Sequence, residues 1–189
     1  MTFNFDSTKK DILNKKDKSN IGFIDGKISK LCNLINSKED YFTTSSCSGR
    51  IILVLEEDKK FKNAFLYRTH EKINFNDLKN YLSEISKKVK KGIIFFKQEP
   101  CFIVVSCRNK VCQWKLFNEA RNNGWKKSGI LSIDKKLLVE LMSDERIEFP
   151  VIKDGDILID DKLIKIIVEK TSKNLEKSWN KINKLEKLI

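Results

Sequence analysis

Residues 41–50 read Tyr-Phe-Thr-Thr-Ser-Ser-Cys-Ser-Gly-Arg: five small hydroxyl side chains around one thiol, then a glycine and one of the chain's five arginines. Buried hydroxyls and thiols each need a partner, so the pattern argues against a core strand. It predicts a loop at a strand edge, where backbone N–H groups, Ser45, Ser46, Cys47, Ser48, Gly49 and the Arg50 guanidinium converge on an anionic or polar ligand. A plain tight turn is the other reading. A second arginine, Arg108, follows Cys107 at the end of an apolar run, and strand ends are where α/β folds place ligands. His70 is the single histidine, and imidazole is the side chain that ordinarily titrates near ~6.5, where a general base works. It reads either as that base or as a structural residue at a sheet edge. Cys47 with His70 could form a nucleophile pair, although nothing in the spacing demands it. Trp125-Lys126-Lys127-Ser128-Gly129 sets a ring beside two ammoniums, which suits either a stacking platform for an exposed base or a core tryptophan.

Several chemistries are excluded. Seven glycines form neither G-x-G-x-x-G nor a P-loop, so a Rossmann-type site is unsupported. No G-x-S-x-G elbow exists, and one histidine rules out multi-histidine metal sites. The five cysteines, Cys32, Cys47, Cys101, Cys107 and Cys112, include no C-x-x-C pair. That argues against a disulfide framework or structural zinc and for a reducing cytoplasm. The net charge of +12 points to a polyanion, most plausibly nucleic acid. That signal is discounted, because most of the 38 basic residues are lysines of the kind an A/T-biased genome writes on any surface. No long uncharged apolar run spans a membrane, and the charged N-terminus is no secretory signal.

At 189 residues the chain has the length of one domain, 1–189, with residues 1–20 as a loosely held basic arm. Ile28, Leu31, Cys32 and Ile35 recur at helical spacing after Asp25-Gly26. Arg50 to Glu56 and Ala64 to Thr69 read as a hairpin around Asp58-Lys59-Lys60. Asn74 or Asn76 caps a helix through Leu78, Leu82 and Ile85, ended by Gly92. Ile93 to Phe96 and Phe102 to Cys107 read as strands. A helix from Lys110 to Asn123 is expected to bury Trp114 and Phe117. Gly129 to Ile133 and Leu137 to Met142 read as strands around an Asp134-Lys135 turn, and a long amphipathic helix runs from Asp160 to the end. The sum is a mixed α/β fold with helices on a sheet of about six strands.

The order of these segments resembles the wybutosine-synthesis methyltransferase family, third enzyme type. The match begins with Asp17-x-Ser19-x-x-Gly22-x-x-Asp25 and the segment from Tyr41 to Ile51. It continues through Thr69-His70-Glu71, Glu99-Pro100, Cys107-Arg108, Gly124-Trp125-x-x-Ser128-Gly129-Ile130 and Glu148-x-Pro150-Val151. The resemblance implies a single-domain, non-Rossmann enzyme. It would move a methyl group from S-adenosyl-L-methionine to N4 of the tricyclic wye base beside the anticodon of phenylalanine tRNA. The implied cofactor-binding residues are Ser45, Ser46, Cys47, Ser48, Gly49, Arg50, Cys107, Arg108, Ser128 and Gly129, with no metal. Two positions depart from the family pattern: Phe65 stands where many relatives have tryptophan, and Val104 where many have histidine.

Methylation of a ring nitrogen by a sulfonium is an in-line displacement, so alignment supplies much of the rate, roughly 7–11 kcal/mol for well-oriented reactants. The nitrogen is itself the nucleophile, which leaves Cys47 as a packing or orienting residue. The departing proton needs a base or water, and His70 and Asp25 are the catalytic candidates. The rival reading is a non-catalytic RNA-binding protein using the same basic face, and a thiol hydrolase built on Cys47 is a third.

Overall fold

The computed structural model describes residues 3–14, 25–56 and 65–189. Asp17, Ser19, Gly22, Ala64 and the turn expected at Asp58-Lys59-Lys60 lie outside the described residues. The described residues form five α-helices and nine strands in two sheets. Every strand pair is antiparallel, whereas a dinucleotide-type fold is built on a parallel sheet. The fold is therefore mixed α/β and not Rossmann, as expected, but with two sheets in place of one of about six strands.

The chain divides into two compact units, Met1–Ser48 with Cys101–Asp144 and Ser178–Ile189, and Gly49–Pro100 with Glu145–Lys177. The first unit carries the sheet β1-β5-β7-β6, built from β1 (Tyr41–Cys47), β5 (Phe102–Cys107), β6 (Gly129–Ser132) and β7 (Leu137–Met142). Its core gathers Ile28, Leu31 and Ile35 of α2 (Gly26–Ser37), Ile103 and Val105 of β5, and Leu116 of α4 (Lys110–Asn122). The amphipathic spacing of α2 buries these residues as predicted. The N-terminal stretch departs from expectation. Where a loose arm was predicted, α1 (Phe5–Leu13) forms, capped by Asn4, whose side chain accepts the Ser7 N–H at 3.0 Å. Phe5 anchors it with its ring 5.0 Å from that of Phe42, a tertiary contact that local periodicity does not announce.

The outward face of α4 also differs. Its buried residues are Gln113, Leu116 and Ala120, while Trp114 is 51% exposed and Trp125 is 0% exposed. The polar Gln113 takes a core position because its amide donates to the Ser132 carbonyl at 2.8 Å and the Leu138 carbonyl at 3.0 Å. A pattern reading that admits only apolar residues inward therefore rotates the helix by one position.

The second unit carries the sheet β3-β2-β4-β8-β9, from β2 (Arg50–Leu55), β3 (Phe65–Thr69), β4 (Ile93–Glu99), β8 (Ile147–Lys153) and β9 (Asp156–Ile157). The expected β2–β3 pairing is present, Ile51 opposite Thr69 and Ile52 opposite Arg68. Strand β8 was not foreseen, because Pro150 lies inside it. Proline is tolerated in strands at irregularities, and Pro150 sits at the register shift against Ile94 and Phe95. Helix α3 (Phe75–Lys88), capped by Asn74, buries Leu78, Leu82 and Ile85. The early turns of α5 (Asp161–Glu186) bury Ile164 and Ile167 in this unit, and its last turns bury Ile182 and Leu185 in the first. Asn174 of α5 donates to the Gln98 side chain at 2.8 Å. Gln98 donates in turn to the Glu99 and Glu145 carbonyls, so the buried Gln98 amide has partners for both its oxygen and its nitrogen.

Candidate functional site

In the first unit, the hydroxyl-rich segment is strand rather than loop. Residues 43–47 belong to β1, which among the described residues is an edge strand paired with β5 alone. The register shifts between Thr43 and Ser45, so Thr44 is the extra residue of a bulge, and Thr44 and Ser45 are both exposed. Bulges at sheet edges re-aim side chains in this way. The buried hydroxyl of this stretch, Thr43, is partnered, and so is the exposed Thr44. Thr43 donates its N–H and hydroxyl to Asn36 Oδ1 at 2.7 and 3.1 Å, and Thr44 Oγ1 donates to the Val104 carbonyl at 3.2 Å.

The strand ends at a bend fastened by Asp25. This residue caps α2, accepting from the Lys27 N–H at 3.1 Å, and its other oxygen accepts from the Ser48 N–H at 3.3 Å and from the Ser48 hydroxyl. One carboxylate thus orders both a helix N-terminus and the bend of the serine segment. Cys47 is buried. Burial also pushes the Cys32 thiol up from its ordinary value, opposed by a hydrogen bond with Ser46.

Arg108 sits elsewhere. Register pairs Tyr41 with Cys107 and Cys47 with Phe102, so Arg108 stands at the opposite end of the ladder from Ser48, roughly 20 Å away at ~3.3 Å per residue. Its guanidinium donates to both carboxylate oxygens of Asp6, at 3.0 and 2.7 Å, and to the Glu39 carbonyl at 3.1 Å. It also pairs with Asp40 at 3.1 Å, and its carbon lies 4.7 Å from the Phe5 ring. The Arg108 contact holds the Asp6 carboxyl below its usual range. Next to it, burial pushes the Cys107 thiol up to about 12, so this group stays a neutral core thiol. Ser128 is equally occupied: its hydroxyl donates to the Trp125 carbonyl at 2.7 Å and accepts the Met142 N–H at 3.1 Å. Gly129 opens β6 opposite Glu140, which itself faces Val104, the partner of Ser45. That cross-strand row is about 14 Å long at ~4.8 Å per strand.

In the second unit, Gly49 has φ 97°, a conformation open to glycine and costly for other residues. Arg50 opens β2 opposite Glu99 and donates to it through Nε. Its guanidinium carbon lies 5.5 Å from the Phe65 ring, so at this departure from the family pattern an aromatic face is retained. His70, one residue past β3, bonds the Gly49 carbonyl through Nδ1 at 3.1 Å. A carbonyl only accepts, so Nδ1 is the donor, and when the ring is neutral the lone pair lies at Nε2.

The structure therefore brings Gly49, Arg50 and His70 together in one unit, and Asp25 with Ser48 in the other. It does not bring Arg108 or Gly129 to that bend. Sequence reasoning missed Asp6 and Asp40 as the partners of Arg108, and Glu99 as the partner of Arg50. For Glu99 the signal was available, since it belongs to the Glu99-Pro100 match and ends β4. For Asp6 there was none.

The chain matches the family described as Methyltransferase TYW3 over residues 7–189. A protein of Archaeoglobus fulgidus named tRNA(Phe) 7-((3-amino-3-carboxypropyl)-4-demethylwyosine(37)-N(4))-methyltransferase is 34% identical over 88% of this chain and 83% of its own length. One of the same name from Thermococcus sibiricus is 34% identical over 97% and 93%. The solved structure of a Pyrococcus horikoshii protein aligns with a TM-score of 0.86 at 31% identity, covering 97% of this chain and 93% of that one. An antiparallel, non-Rossmann α/β fold, the serine-cysteine-glycine-arginine segment and a match along nearly the whole length lead to one assignment: the chain belongs to the Methyltransferase TYW3 family.

Proposed function

We propose that this enzyme methylates N4 of the tricyclic wye-base intermediate beside the anticodon of phenylalanine tRNA, in wybutosine biosynthesis. The match over residues 7–189 to relatives bearing that activity in their names carries the reading. A single tRNA-modifying domain over residues 1–189 is part of the same proposal. No helix among the described residues is long and apolar enough to cross a membrane, and a cytoplasmic location belongs to the same proposal.

S-adenosyl-L-methionine, the proposed cofactor, supplies an electrophilic methyl group on sulfur. Donor chemistry supports its fit in the second unit, because Arg50 meets Glu99 through Nε alone and no described residue pairs with its two terminal nitrogens. A guanidinium edge of that kind suits a carboxylate or a phosphate. Arg50 is the proposed anchor for the anionic group, with Gly49 shaping the approach and residues 45–48 as further cofactor contacts. Cys107, Arg108, Ser128 and Gly129 act through the framework, the hydroxyl and guanidinium among them being occupied by their own neighbours. His70 takes the proton leaving the ring nitrogen at Nε2, directly or through water, while its Nδ1–H bond to Gly49 fixes the ring. Asp25 orders the Ser48 bend and is the second candidate base.

The test is transfer of label from methyl-labelled S-adenosyl-L-methionine to phenylalanine tRNA carrying the demethylated tricyclic base, with the methyl position read by mass spectrometry of the nucleoside. One methyl on N4 is expected. Label on another atom, or none with active cofactor and intact tRNA, would overturn the proposal.

A further inference from the structure

The half-exposed indole of Trp114 is unusual for a residue on a packed helix. Of the three tryptophans, Trp125 is fully buried and Trp179 half-buried, while Trp114 stands in solvent. Its ring meets Phe117 edge-on, with centroids 5.6 Å apart at 88°, and the Arg121 guanidinium lies 5.5 Å from the Phe117 ring. Spacings of three, four and seven put these residues on one face. Gln113 ties the same helix to Ser132, whose neighbours Leu131 and Ile133 are also exposed. An exposed aromatic pair of this kind suits an interaction site.

Charge selects the partner. Helix α4 carries Lys110, Lys115 and Arg121 against a single acid, Glu119. Among the described residues none of the three cations has a carboxylate partner, unlike Arg108 and Arg146 on either side in sequence. A flat ring among such cations fits unpaired nucleotides, with a base stacked on the indole and phosphates on the ammonium and guanidinium groups. Position agrees. Gln113 bonds the Leu138 carbonyl, Leu138 pairs with Ser106, and Ser106 pairs with Phe42. Phe42 lies five residues along β1 from Cys47, roughly 17 Å at ~3.3 Å per residue. A small ligand cannot touch both places, whereas an RNA can.

We infer that the Trp114–Phe117–Arg121 face of α4 docks unpaired nucleotides of the RNA substrate, remote from Cys47 within the first unit. The inference rests on the reading of phenylalanine tRNA as substrate. The test uses the full chain and that tRNA, with dissociation constants measured by fluorescence quenching separately from turnover. Trp114→Ala is expected to raise both Kd and KM for tRNA about tenfold, the loss of one stacked base, with kcat and melting temperature unchanged. Trp114→Phe recovers most of it. Arg121→Glu weakens binding and lowers the slope of log Kd against log salt by about one. A short oligouridylate competes for the face and a blunt RNA duplex does not. A wild-type enzyme that binds but never methylates sinks the substrate reading alone. Unchanged Kd in Trp114→Ala, or equal competition by the duplex, sinks the docking face.

Discussion

Arg50 and Arg108 look alike in the sequence, each following a thiol-containing segment, and both read as anion receptors. Their surroundings are opposite. Arg108 meets Asp6 twice, Asp40 and the Glu39 carbonyl, with Phe5 over its face. Arg50 meets one carboxylate through one nitrogen. What separates a ligand-binding arginine from a clamp is the number of its donors that the fold already satisfies. The clamp has a visible purpose, because it fastens α1 to the end of β5. The other corner has its own marks of preparation: a glycine held at positive φ and a histidine whose proton is fixed on Nδ1.

If the Arg50 corner does the chemistry, His70 is where breaking it costs most. His70→Ala is expected to lower kcat by about 10²–10⁴, the usual contribution of a positioned base, with a smaller change in cofactor affinity. His70→Asn can still donate to the Gly49 carbonyl but has no basic nitrogen, so it should not restore turnover. Restoration by asparagine would make His70 an orienting residue and promote Asp25. The next effect in size contrasts the arginines directly. Arg50→Ala should cost on the order of 10- to 100-fold in kcat/KM, the scale of a lost charge-assisted contact, with little change in melting temperature. Arg50→Lys should recover little of it, since an ammonium lacks the planar fork. Arg108→Ala should do the reverse, lowering the melting temperature by a few °C while turnover stays within about threefold. Calorimetric melting and initial rates on the same preparations decide it, and a swap of the two patterns would end the distinction.

How much of this was legible varies with the range of the interaction. Helix α2, α3 and the hydrophobic stripe of α5 were readable because their buried residues recur with helical period and their caps are Asp25 and Asn74. The pairing of β2 with β3 was readable from two short apolar runs. Three features were hidden because non-local partners decide them. Strand β1 tolerates its hydroxyls through Asn36, Val104 and Asp25. Gln113 turns inward because two carbonyls await it, which leaves Trp114, expected in the core, in solvent. Helix α1 exists through Phe42 and Arg108. For the site, the residue types of the Gly49–Arg50–His70 corner were legible, and His70 does lie just past an edge strand, β3. Within the first unit, Arg108 and Gly129 do not come to the Ser48 bend, since adjacency to a motif in sequence says nothing of which end of a strand a residue occupies.

The smallest effect expected is also the most selective for the clamp. Asp6 has its carboxyl held below the ordinary 3.8, first by the hydrogen bond from Arg108. A carboxyl whose folded value is depressed stabilises the fold above its unfolded value and loses that contribution as pH falls through the folded one. The Asp6–Arg108 contribution should therefore be fully present at neutral pH, decline below about 4, and vanish once both states are protonated. Because the pair is exposed, its size should be modest and reduced by salt. Asp6→Asn keeps the shape and removes the charge. Its melting temperature should lie slightly below that of the unaltered protein at pH 7 and meet it in strong acid. Turnover at pH 7 should not change, because the clamp only holds α1. A variant that loses turnover at unchanged stability would instead place Asp6 and Arg108 in contact with the substrate, and the difference between the two arginines would have been read the wrong way round.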